Sequence, residues 1–316
     1  MARTFYEKVM SRVKKGCYNI THPVFAKKYS MRFSNSFTQE DLEYCIPHLY
    51  KLRTGKNLDL NNVKTFNEKL SWMKCFYHDD RMTECADKVT APAYFIKYAG
   101  GGVNESFIVK NLGVYTSPEE INFESLPKAF VLKSNWGSGC QIIVKDKNKA
   151  NIDKIRRTIK PWNDIKTNHY YSGFEYGYKN IVPKIVCEEF VTFEYKIEFF
   201  CFDGKPCYFW TVFNDKTAEV CADFYDAETL KKINMKQGYP NSKTTITIPK
   251  DYNKMFDIAC NLSKGFPFVR IDFFKTQDSF KFSEMTFYHW NGFKPFEPES
   301  MDLEFGEKIE LPEKMI

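Results

Sequence analysis

The chain has 316 residues and a net charge of +6, and its 43% hydrophobic and 17% aromatic content suffices for a sizeable core and about two domains. Ten cysteines without a CxxC pair, beside only five histidines, favour buried thiols of a reducing compartment over a disulfide framework or a zinc site. No apolar stretch is long enough for a secretory signal or a membrane span, so we expect a soluble, cytoplasmic protein.

The positive charge is concentrated at the start of the chain. Residues 1–40 carry eight basic and two acidic side chains, which accounts for the whole net charge. Within Arg3–Lys15 the spacing predicts an amphipathic helix whose apolar face holds Phe5, Tyr6, Val9, Met10 and Val13.

Two interpretations of this helix are open: it rests on an anionic membrane surface or a polyanionic glycan, or its apolar face packs on its own domain. We favour the second. Nucleic acid is not an expected partner, because no binding motif accompanies the charge.

Helices are predicted first along the chain, and strands follow. The predicted helices are Thr38–Leu52, Thr65–Cys75 and Met82–Tyr98, the first two with capping-box spacing at their starts and the last interrupted near Pro92. The predicted strands are Ala129–Lys133, Gln141–Lys145, Ile185–Val191, Tyr195–Phe202, Pro206–Phe213, Phe268–Phe274 and Phe280–Phe287. This order indicates an α+β protein with helices first and hairpins later.

The last predicted hairpin brings acidic residues together. If its turn is centred on Asp278, then Asp272 lies opposite Glu284. The same register pairs Arg270 with Thr286 and leaves the other face wholly apolar. Directly opposed carboxylates repel, so something must offset their charge. Mg²⁺ bound to Asp272 and Glu284, with phosphate oxygens and water completing its shell, would do so, and Arg270 is placed to hold a phosphate. The alternative is a solvated face whose carboxylates pair with Arg270 and nearby lysines.

A glycine-bearing loop joins two of the predicted strands. It contains Gly137, Ser138 and Gly139, and Lys133 and Lys145 lie on either side of it. A flexible loop of this kind can fold over phosphates with its backbone N–H groups and serine hydroxyl, while the two lysines supply positive charge. It is not a Walker loop, because no Lys-Ser/Thr pair follows the glycines. The alternative is an ordinary surface turn.

Several short segments stand in a specific order and spacing along most of the chain. They are Lys64–Leu70 (KTFNEKL), Ala86–Lys88 (ADK), Phe130–Lys133 (FVLK) with Gly137–Gly139 (GSG), Glu188–Phe190 (EEF), Tyr195-Lys196, Phe200–Pro206 (FCFDGKP), Phe266–Asp272 (FPFVRID), Ser283–Phe287 (SEMTF) and Phe296–Glu299 (FEPE). Together they resemble the ATP-grasp superfamily, and within it the TupA-like family, which is linked to the synthesis of teichuronopeptide and surface polysaccharide.

The resemblance implies an α+β ATP-grasp fold, in which two α+β subdomains grip ATP, with a helical N-terminal extension. The implied domains are the basic extension (residues 1–60), a pre-ATP-grasp region (61–120), a small subdomain with the mobile glycine-rich loop (121–190) and a C-terminal subdomain with the Mg-binding hairpin (191–316).

The resemblance also implies roles for single residues. Lys133 and Arg270 would contact the phosphates of ATP and act in catalysis, and Gly137, Ser138 and Gly139 would form the mobile loop above them. The further nucleotide-binding candidates are Lys145 beside the loop, Lys196, and Glu188 and Glu189, which match the segment that meets adenine and ribose. Asp272 and Glu284 resemble the magnesium ligands.

Three positions depart from the family's pattern. Thr286 stands where many ATP-grasp enzymes have a metal-binding Asn, which leaves open whether one or two metal ions bind. Pro92 replaces an Arg, and Phe174-Glu175-Tyr176 replaces an Arg-Glu-Trp, which points to a different acceptor.

The implied activity is that of a carboxylate–amine ligase. A substrate carboxylate attacks the γ-phosphate of ATP to give an acylphosphate, and an amine then displaces phosphate to form an amide. The family association suggests a uronic-acid-bearing saccharide and an amino acid or amine as substrates. One alternative is a phosphotransferase that acts on a saccharide hydroxyl. Another is a non-catalytic module for anionic glycan, which would use the basic N-terminus and a second basic region, Lys147–Lys184.

Overall fold

The computed structural model describes residues 5–243 and 246–316, with side chains from Met10 onward. Its α-helices are α1 (Phe5–Thr21), α2 (Pro23–Ser30), α3 (Gln39–Thr54), α4 (Phe66–Phe76), α5 (Arg81–Ala86), α6 (Ala91–Tyr98), α7 (Ile152–Ile159), α8 (His169–Gly173), α9 (Tyr252–Ser263) and α10 (Ser300–Glu307). Its strands are β1 (Asn111–Tyr115), β2 (Phe130–Ser134), β3 (Gln141–Val144), β4 (Ile185–Glu189), β5 (Tyr195–Phe202), β6 (Lys205–Phe213), β7 (Cys221–Asp226), β8 (Lys232–Ile233), β9 (Lys236–Gln237), β10 (Val269–Lys275), β11 (Phe280–Thr286) and β12 (Phe296–Glu297). None of the described helices is both long and apolar enough to cross a membrane.

The chain forms two compact units. The first contains the described residues of segments 1–78, 210–246 and 288–316, and the second contains residues 79–209 and 247–287. Both units are therefore assembled from separated segments, whereas the four predicted domains are contiguous. The division at residues 60, 120 and 190 stays a prediction.

The N-terminal helix of the first unit forms where the spacing predicted it. Arg3 lies outside the described residues, and the predicted apolar face is described only at Met10 and Val13. These two side chains are 47% and 52% exposed. Packing of this face on its own domain, the interpretation that we favoured from the sequence, is therefore wrong at both residues. The side chains of Phe5, Tyr6 and Val9 lie outside the described residues.

The predicted helix starts of the first unit are confirmed. The Thr65 hydroxyl accepts from the backbone N–H of Glu68, whose carboxylate accepts from the backbone of Thr65, so α4 begins with a capping box. The side chain of Asn67 in the next turn donates to Asp302 of α10 at 3.0 Å, and this buried contact joins the two helices.

In the second unit, the predicted third helix is divided into α5 and α6. The break covers residues 87–90, and Pro92 lies in the first turn of α6, where a missing N–H removes no helical hydrogen bond. Lys88 lies within this break. The interruption near Pro92 is thus confirmed.

Two antiparallel sheets make up most of the second unit. The first has the strand order β1-β4-β2-β3, and the buried face that includes Phe130 and Leu132 packs with Ile155 and Ile159 of α7. The second continues from β11 through β10 and β5 to β6, which belongs to this unit up to Phe209.

The predicted register of the last hairpin is confirmed. Arg270 pairs with Thr286, and Asp272 pairs with Glu284. A β-bulge follows Asp272, because Phe273 pairs with Phe282 and the register shifts by one residue. The sequence analysis did not foresee this bulge.

Candidate functional site

Three carboxylates lie in a row across three neighbouring strands of the second unit. Asp272 on β10 pairs with Glu284 on β11 and, on its other side, with Glu198 on β5. Asp272 is completely buried and Glu198 is 3% exposed, whereas the Glu284 side chain is 34% exposed. Asp272 and Glu198 therefore do not lie on a solvated face, whereas the pairing of the carboxylates with Arg270 that the alternative interpretation expected is present.

Glu198 was not among the residues predicted from the sequence. It follows Lys196 by two positions, so both side chains lie on one face of β5, and apolar Ile197 and Phe199 alternate with them. The feature of the sequence that could have identified Glu198 is the presence of two charged residues on one face of an otherwise apolar strand. The pairing of β5 with β10, which places Glu198 beside Asp272, could not be read from the sequence.

Arg270 neutralises part of the carboxylate row. Its Nε donates to Asp272 Oδ1 at 2.7 Å and lies 3.0 Å from Glu198 Oε2, and its Nη2 donates to Asp272 Oδ2 at 2.6 Å. Nη2 also lies 4.0 Å from Glu284 Oε1. Burial lowers the pKa of Arg270, but the surrounding carboxylates outweigh it and hold the pKa above its usual range. The guanidinium is therefore permanently charged.

Arg270, with the Lys196 ammonium 3.9 Å from Glu198 Oε1, does not balance three carboxylates. Burial and the charges of Glu198 and Glu284 hold the pKa of Asp272 well above its usual range, although Arg270 opposes this shift. A bound cation would offset the burial of the Asp272 carboxylate and its repulsion by Glu198 and Glu284, the two causes of the raised pKa. Carboxylate oxygens are the protein ligands that Mg²⁺ prefers, so the donor chemistry of the row fits this ion.

The geometry limits how such an ion would be held. Across residues 5–243 and 246–316, no three His, Cys, Asp or Glu side chains are grouped as a complete metal cage. Mg²⁺ commonly binds one or two carboxylates and takes its other ligands from phosphates and water. Thr286 Oγ1 lies 3.4 Å from Arg270 Nη2, so its hydroxyl is close to the row.

Lys133 and Glu188 lie together on the first sheet of this unit. They are on neighbouring strands β2 and β4, and the Lys133 ammonium forms an ion pair with the Glu188 carboxylate. A cavity of ≈ 20 Å³, room for about one water, is lined by Glu188, Glu284 and Lys88. The cavity therefore joins the lysine–glutamate pair to the carboxylate row.

Lys88 is the second site residue that the sequence analysis left without a role. Burial lowers its pKa, against the charges of Glu284 and Glu188. Its Nζ donates to the backbone carbonyl of Gly137 at 2.7 Å, so it anchors the glycine-bearing loop. The ADK segment was the available signal, because a lysine follows an acidic residue at a helix break there.

The loop itself, residues 135–140 between β2 and β3, has a second anchor. The backbone N–H of Ser138 donates to His169 Nε2 at 3.3 Å, and His169 Nδ1 lies 3.4 Å from Glu175 Oε1. A Cβ on Gly137 would lie 2.9 Å from His169 Cδ2, and Gly139 has φ +83°, so both glycines are required by their surroundings. Ser138 and Gly139 are exposed and available to a ligand.

The two other predicted nucleotide-binding residues, Lys196 and Glu189, have different partners. The Lys196 ammonium lies 3.9 Å from Glu198 Oε1, at the end of the carboxylate row. Glu189 accepts from the backbone N–H of Lys110 at 3.1 Å and pairs with Lys281 at 3.2 Å.

Lys145 does not lie beside Lys133 and the other predicted phosphate-binding residues. It lies beyond the end of β3, four residues from Gln141, which is the strand partner of Lys133. At about 3.3 Å per residue this is a separation of about 13 Å along the strand. Lys145 lines a different groove, between β3 and α7, together with Lys149 and Lys154. Its assignment to phosphate binding gains no support from this position.

A family model described as TupA-like ATPgrasp matches residues 68–310, which is most of the chain. The chain belongs to the TupA-like ATP-grasp family. The prediction of an α+β ATP-grasp fold with N-terminal helices is confirmed. No curated protein is significantly similar to this TupA-like chain.

Solved structures similar to the TupA-like chain include an ATP-grasp ligase, a second ligase and a synthetase. The ligase PsnB, complexed with a phosphomimetic variant of its minimal precursor, Mg and ADP, is 13% identical with a TM-score of 0.39, over 70% of this chain and 57% of PsnB. D-Alanine–D-alanine ligase from Bacillus anthracis with ATP is 17% identical with a TM-score of 0.38, over 71% and 58%. The ADP complex of PurK, an N5-carboxyaminoimidazole ribonucleotide synthetase, is 14% identical with a TM-score of 0.40, over 79% and 57%. The chain thus spans under two thirds of the length of each.

Proposed function

We propose that this protein is an ATP-dependent carboxylate–amine ligase whose site is built around the carboxylate row of Glu198, Asp272 and Glu284. The observation that carries the proposal is the excess of buried negative charge around Asp272, within one unit that also holds Lys88, Lys133 and the glycine-bearing loop. Membership of the TupA-like ATP-grasp family supports it.

The charged groups divide into two sets that suit Mg-ATP. Lys133, Arg270 and the backbone N–H groups of Gly137–Gly139 would hold phosphate oxygens, and Asp272 and Glu284 would hold Mg²⁺. Arg270 and Asp272 neutralise each other in the structure. In the ligand-bound protein we propose that Arg270 binds a phosphate in place of the Asp272 carboxylate. Asp272 in turn binds the cation in place of the Arg270 guanidinium.

Other residues complete the nucleotide site. We assign Glu188 and Glu189 to the adenine and ribose, and Lys196 to a supporting position, since it contacts Glu198 and not a free surface. When bound, Mg²⁺ supplies charge neutralisation at the phosphates. The protein's own groups position the reactants and keep water away, so no covalent protein nucleophile is needed.

The chemistry forms two bonds in succession. A carboxylate oxygen of the substrate attacks the γ-phosphorus, the bond to the bridging oxygen breaks, and ADP leaves with that electron pair. The amine nitrogen then attacks the acyl carbon, inorganic phosphate leaves, and the nitrogen loses a proton to give the amide. Arg270 and Lys133 would stabilise the charge on the transferred phosphoryl group.

The proposed acceptor is a uronic-acid-bearing saccharide of the cell surface, or its precursor, coupled to an amino acid or amine. The support is the TupA-like character of the family match. We further propose a cytoplasmic location, because the reaction consumes ATP and all ten cysteines are free thiols.

The test is ADP release by the purified protein with Mg-ATP, a panel of uronic-acid saccharides, and amines or amino acids. Mass spectrometry should show a product equal to acid plus amine less one water. Asp272→Asn should abolish ADP release, whereas Asp278→Asn, the same change in the exposed turn of the same hairpin, should not. A phosphorylated saccharide formed without any amine would overturn the ligase assignment in favour of phosphotransfer.

A further inference from the structure

The first helix presents apolar side chains to solvent. At about 100° per residue, Met10, Val13, Cys17 and Ile20 of α1 fall within about 80° of one another on the helix. We call this set the α1 apolar face. Met10 is 47%, Val13 52% and Ile20 81% exposed, and Cys17 is exposed as well.

The opposite side of α1 makes the contacts with the first unit. The Tyr18 ring stacks on His22 at 4.0 Å and meets the edge of Phe25 at 5.6 Å. Lys15 Nζ lies 5.5 Å from the ring centre of Tyr29 in α2. A surface helix of a globular protein normally turns its apolar stripe to the core and its charges to water. In α1 the apolar stripe faces water, and the charged residues Arg12 and Lys14 are exposed as well.

Basic residues flank the α1 apolar face, and none of the described side chains of α1, from Met10 to Thr21, is acidic. At about 100° per residue, Lys14 lies about 40° beyond Met10 at one edge and Arg12 about 80° beyond Ile20 on the other side, and both are exposed. Between Lys8 and Gln39 the chain contains seven basic residues and no acidic one. On the opposite side of the helix, burial and then the positive charges of Arg32 and Arg53 lower the pKa of Lys15.

We propose that the α1 apolar face inserts into the surface of an anionic lipid bilayer, with Arg12 and Lys14 at the level of the lipid phosphates. An interfacial helix of this kind combines buried apolar area with electrostatic attraction to anionic headgroups. A second copy of the chain fits less well, because self-association through this face would bring two basic borders together. A glycan offers no apolar surface for Ile20 and Val13 to bury.

This surface is independent of the proposed nucleotide site, because α1 belongs to the first unit and the carboxylate row to the second. Membrane binding and ATP binding can therefore fail separately.

The test is flotation of the full-length protein with lipid vesicles. One set is phosphatidylcholine alone and the other contains about one third phosphatidylglycerol, which gives a negative surface potential. We expect binding to the anionic vesicles only, weakened by salt. Ile20→Glu should weaken it at least about tenfold, the loss expected for one apolar anchor replaced by a charge.

The matched control is Ile316→Glu, which places the same charge at a site that is 75% exposed and outside α1. It should bind as the wild type does. Circular dichroism and the thermal midpoint of Ile20→Glu should be unchanged, because Ile20 is outside the core. Equal binding by Ile20→Glu and the wild type, binding that ignores lipid charge, or a concentration-dependent dimer that Ile20→Glu abolishes would each overturn the proposal.

Discussion

Glu198 and Asp272 are strand partners on β5 and β10, and the same nitrogen, Nε of Arg270, donates to Asp272 Oδ1 at 2.7 Å and lies 3.0 Å from Glu198 Oε2. Acidic residues directly opposite each other normally destabilise a sheet. Here the Arg270 guanidinium lies against both carboxylates and the Lys196 ammonium lies 3.9 Å from Glu198, which makes the pair tolerable, and Glu284 extends the row on the other side.

Replacing Arg270 by Gln should therefore destabilise the protein strongly when no ligand is present. Removing one partner of a buried ion pair costs about 3–5 kcal/mol, because the remaining charges stay buried and uncompensated. Urea unfolding at neutral pH measures this loss, and acidification should reduce it as the carboxylates take up protons. Arg157→Gln, at an exposed arginine of α7, is the control. A loss no greater than that of the control would contradict the account.

Lys133 and Lys145 should respond differently to replacement by Met. Lys133 is paired with Glu188 and lies near Lys88, so its loss should weaken Mg-ATP binding by about ten- to a hundredfold, the effect of one charge-assisted hydrogen bond. Lys145 lies beyond the far end of β3, and its replacement should leave the affinity unchanged. Isothermal titration calorimetry with Mg-ATP distinguishes the two. An equal loss in both variants would show that the loop brings Lys145 to the phosphates after all.

Gly137→Ala should disturb the loop through His169. The added methyl group would lie 2.9 Å from His169 Cδ2, which is closer than carbon atoms approach without displacement. We expect a cost of about 1–3 kcal/mol, as for other overpacked sites. The double variant Gly137→Ala with His169→Ala removes the ring and should recover part of the loss. Denaturant unfolding of the four proteins forms a double-mutant cycle, and strict additivity would mean that the contact is not the cause.

The stability of the second unit should depend on pH through His169. Burial lowers the pKa of this imidazole, but the hydrogen bond and charge of Glu175 outweigh it and raise the pKa above its ordinary value. The nearby charge of Lys88 opposes the shift. A group whose pKa is higher in the folded state than in the unfolded state stabilises the fold fully when the pH is below the unfolded pKa, here near 6.5. That stabilisation is lost as the pH rises through the folded pKa.

Wild type should therefore lose unfolding free energy between about pH 6.5 and the folded pKa, and His169→Gln should lack that slope. The Gln side chain can still accept from the Ser138 N–H, which keeps the loop anchored. Urea unfolding across this pH range provides the comparison. Identical slopes would contradict the His169–Glu175 pairing.

The sequence predicted the parts of the site that depend on local pattern. The register that opposes Asp272 to Glu284 followed from the alternation of apolar residues and the position of the turn, and it is confirmed. The bulge after Asp272 was missed, because an extra residue in one strand leaves no clear mark on a short alternating run.

Residues that come together only through tertiary structure were harder to predict. Glu198 joins the row because β5 pairs with β10, and His169 reaches the loop from 31 residues away. Lys145 shows the opposite case, since it follows the loop closely in sequence but lies about 13 Å along the strand from the partner of Lys133, and its role in phosphate binding stays a prediction. For α1 the predicted apolar face ended at Val13, whereas the α1 apolar face continues to Cys17 and Ile20, and its outward direction depends on which side Tyr18 packs.

The most direct test of the account is the dependence of ATP binding on Mg²⁺ and Asp272. Thermal unfolding with ATP at about a hundred times its dissociation constant should show a stabilisation of roughly 2.7 kcal/mol. The account predicts this shift in wild type and in Asp278→Asn when Mg²⁺ is present, and its loss in Asp272→Asn or without Mg²⁺. No shift in wild type at millimolar Mg-ATP, or an equal shift in Asp272→Asn, would contradict a Mg-ATP site at the carboxylate row.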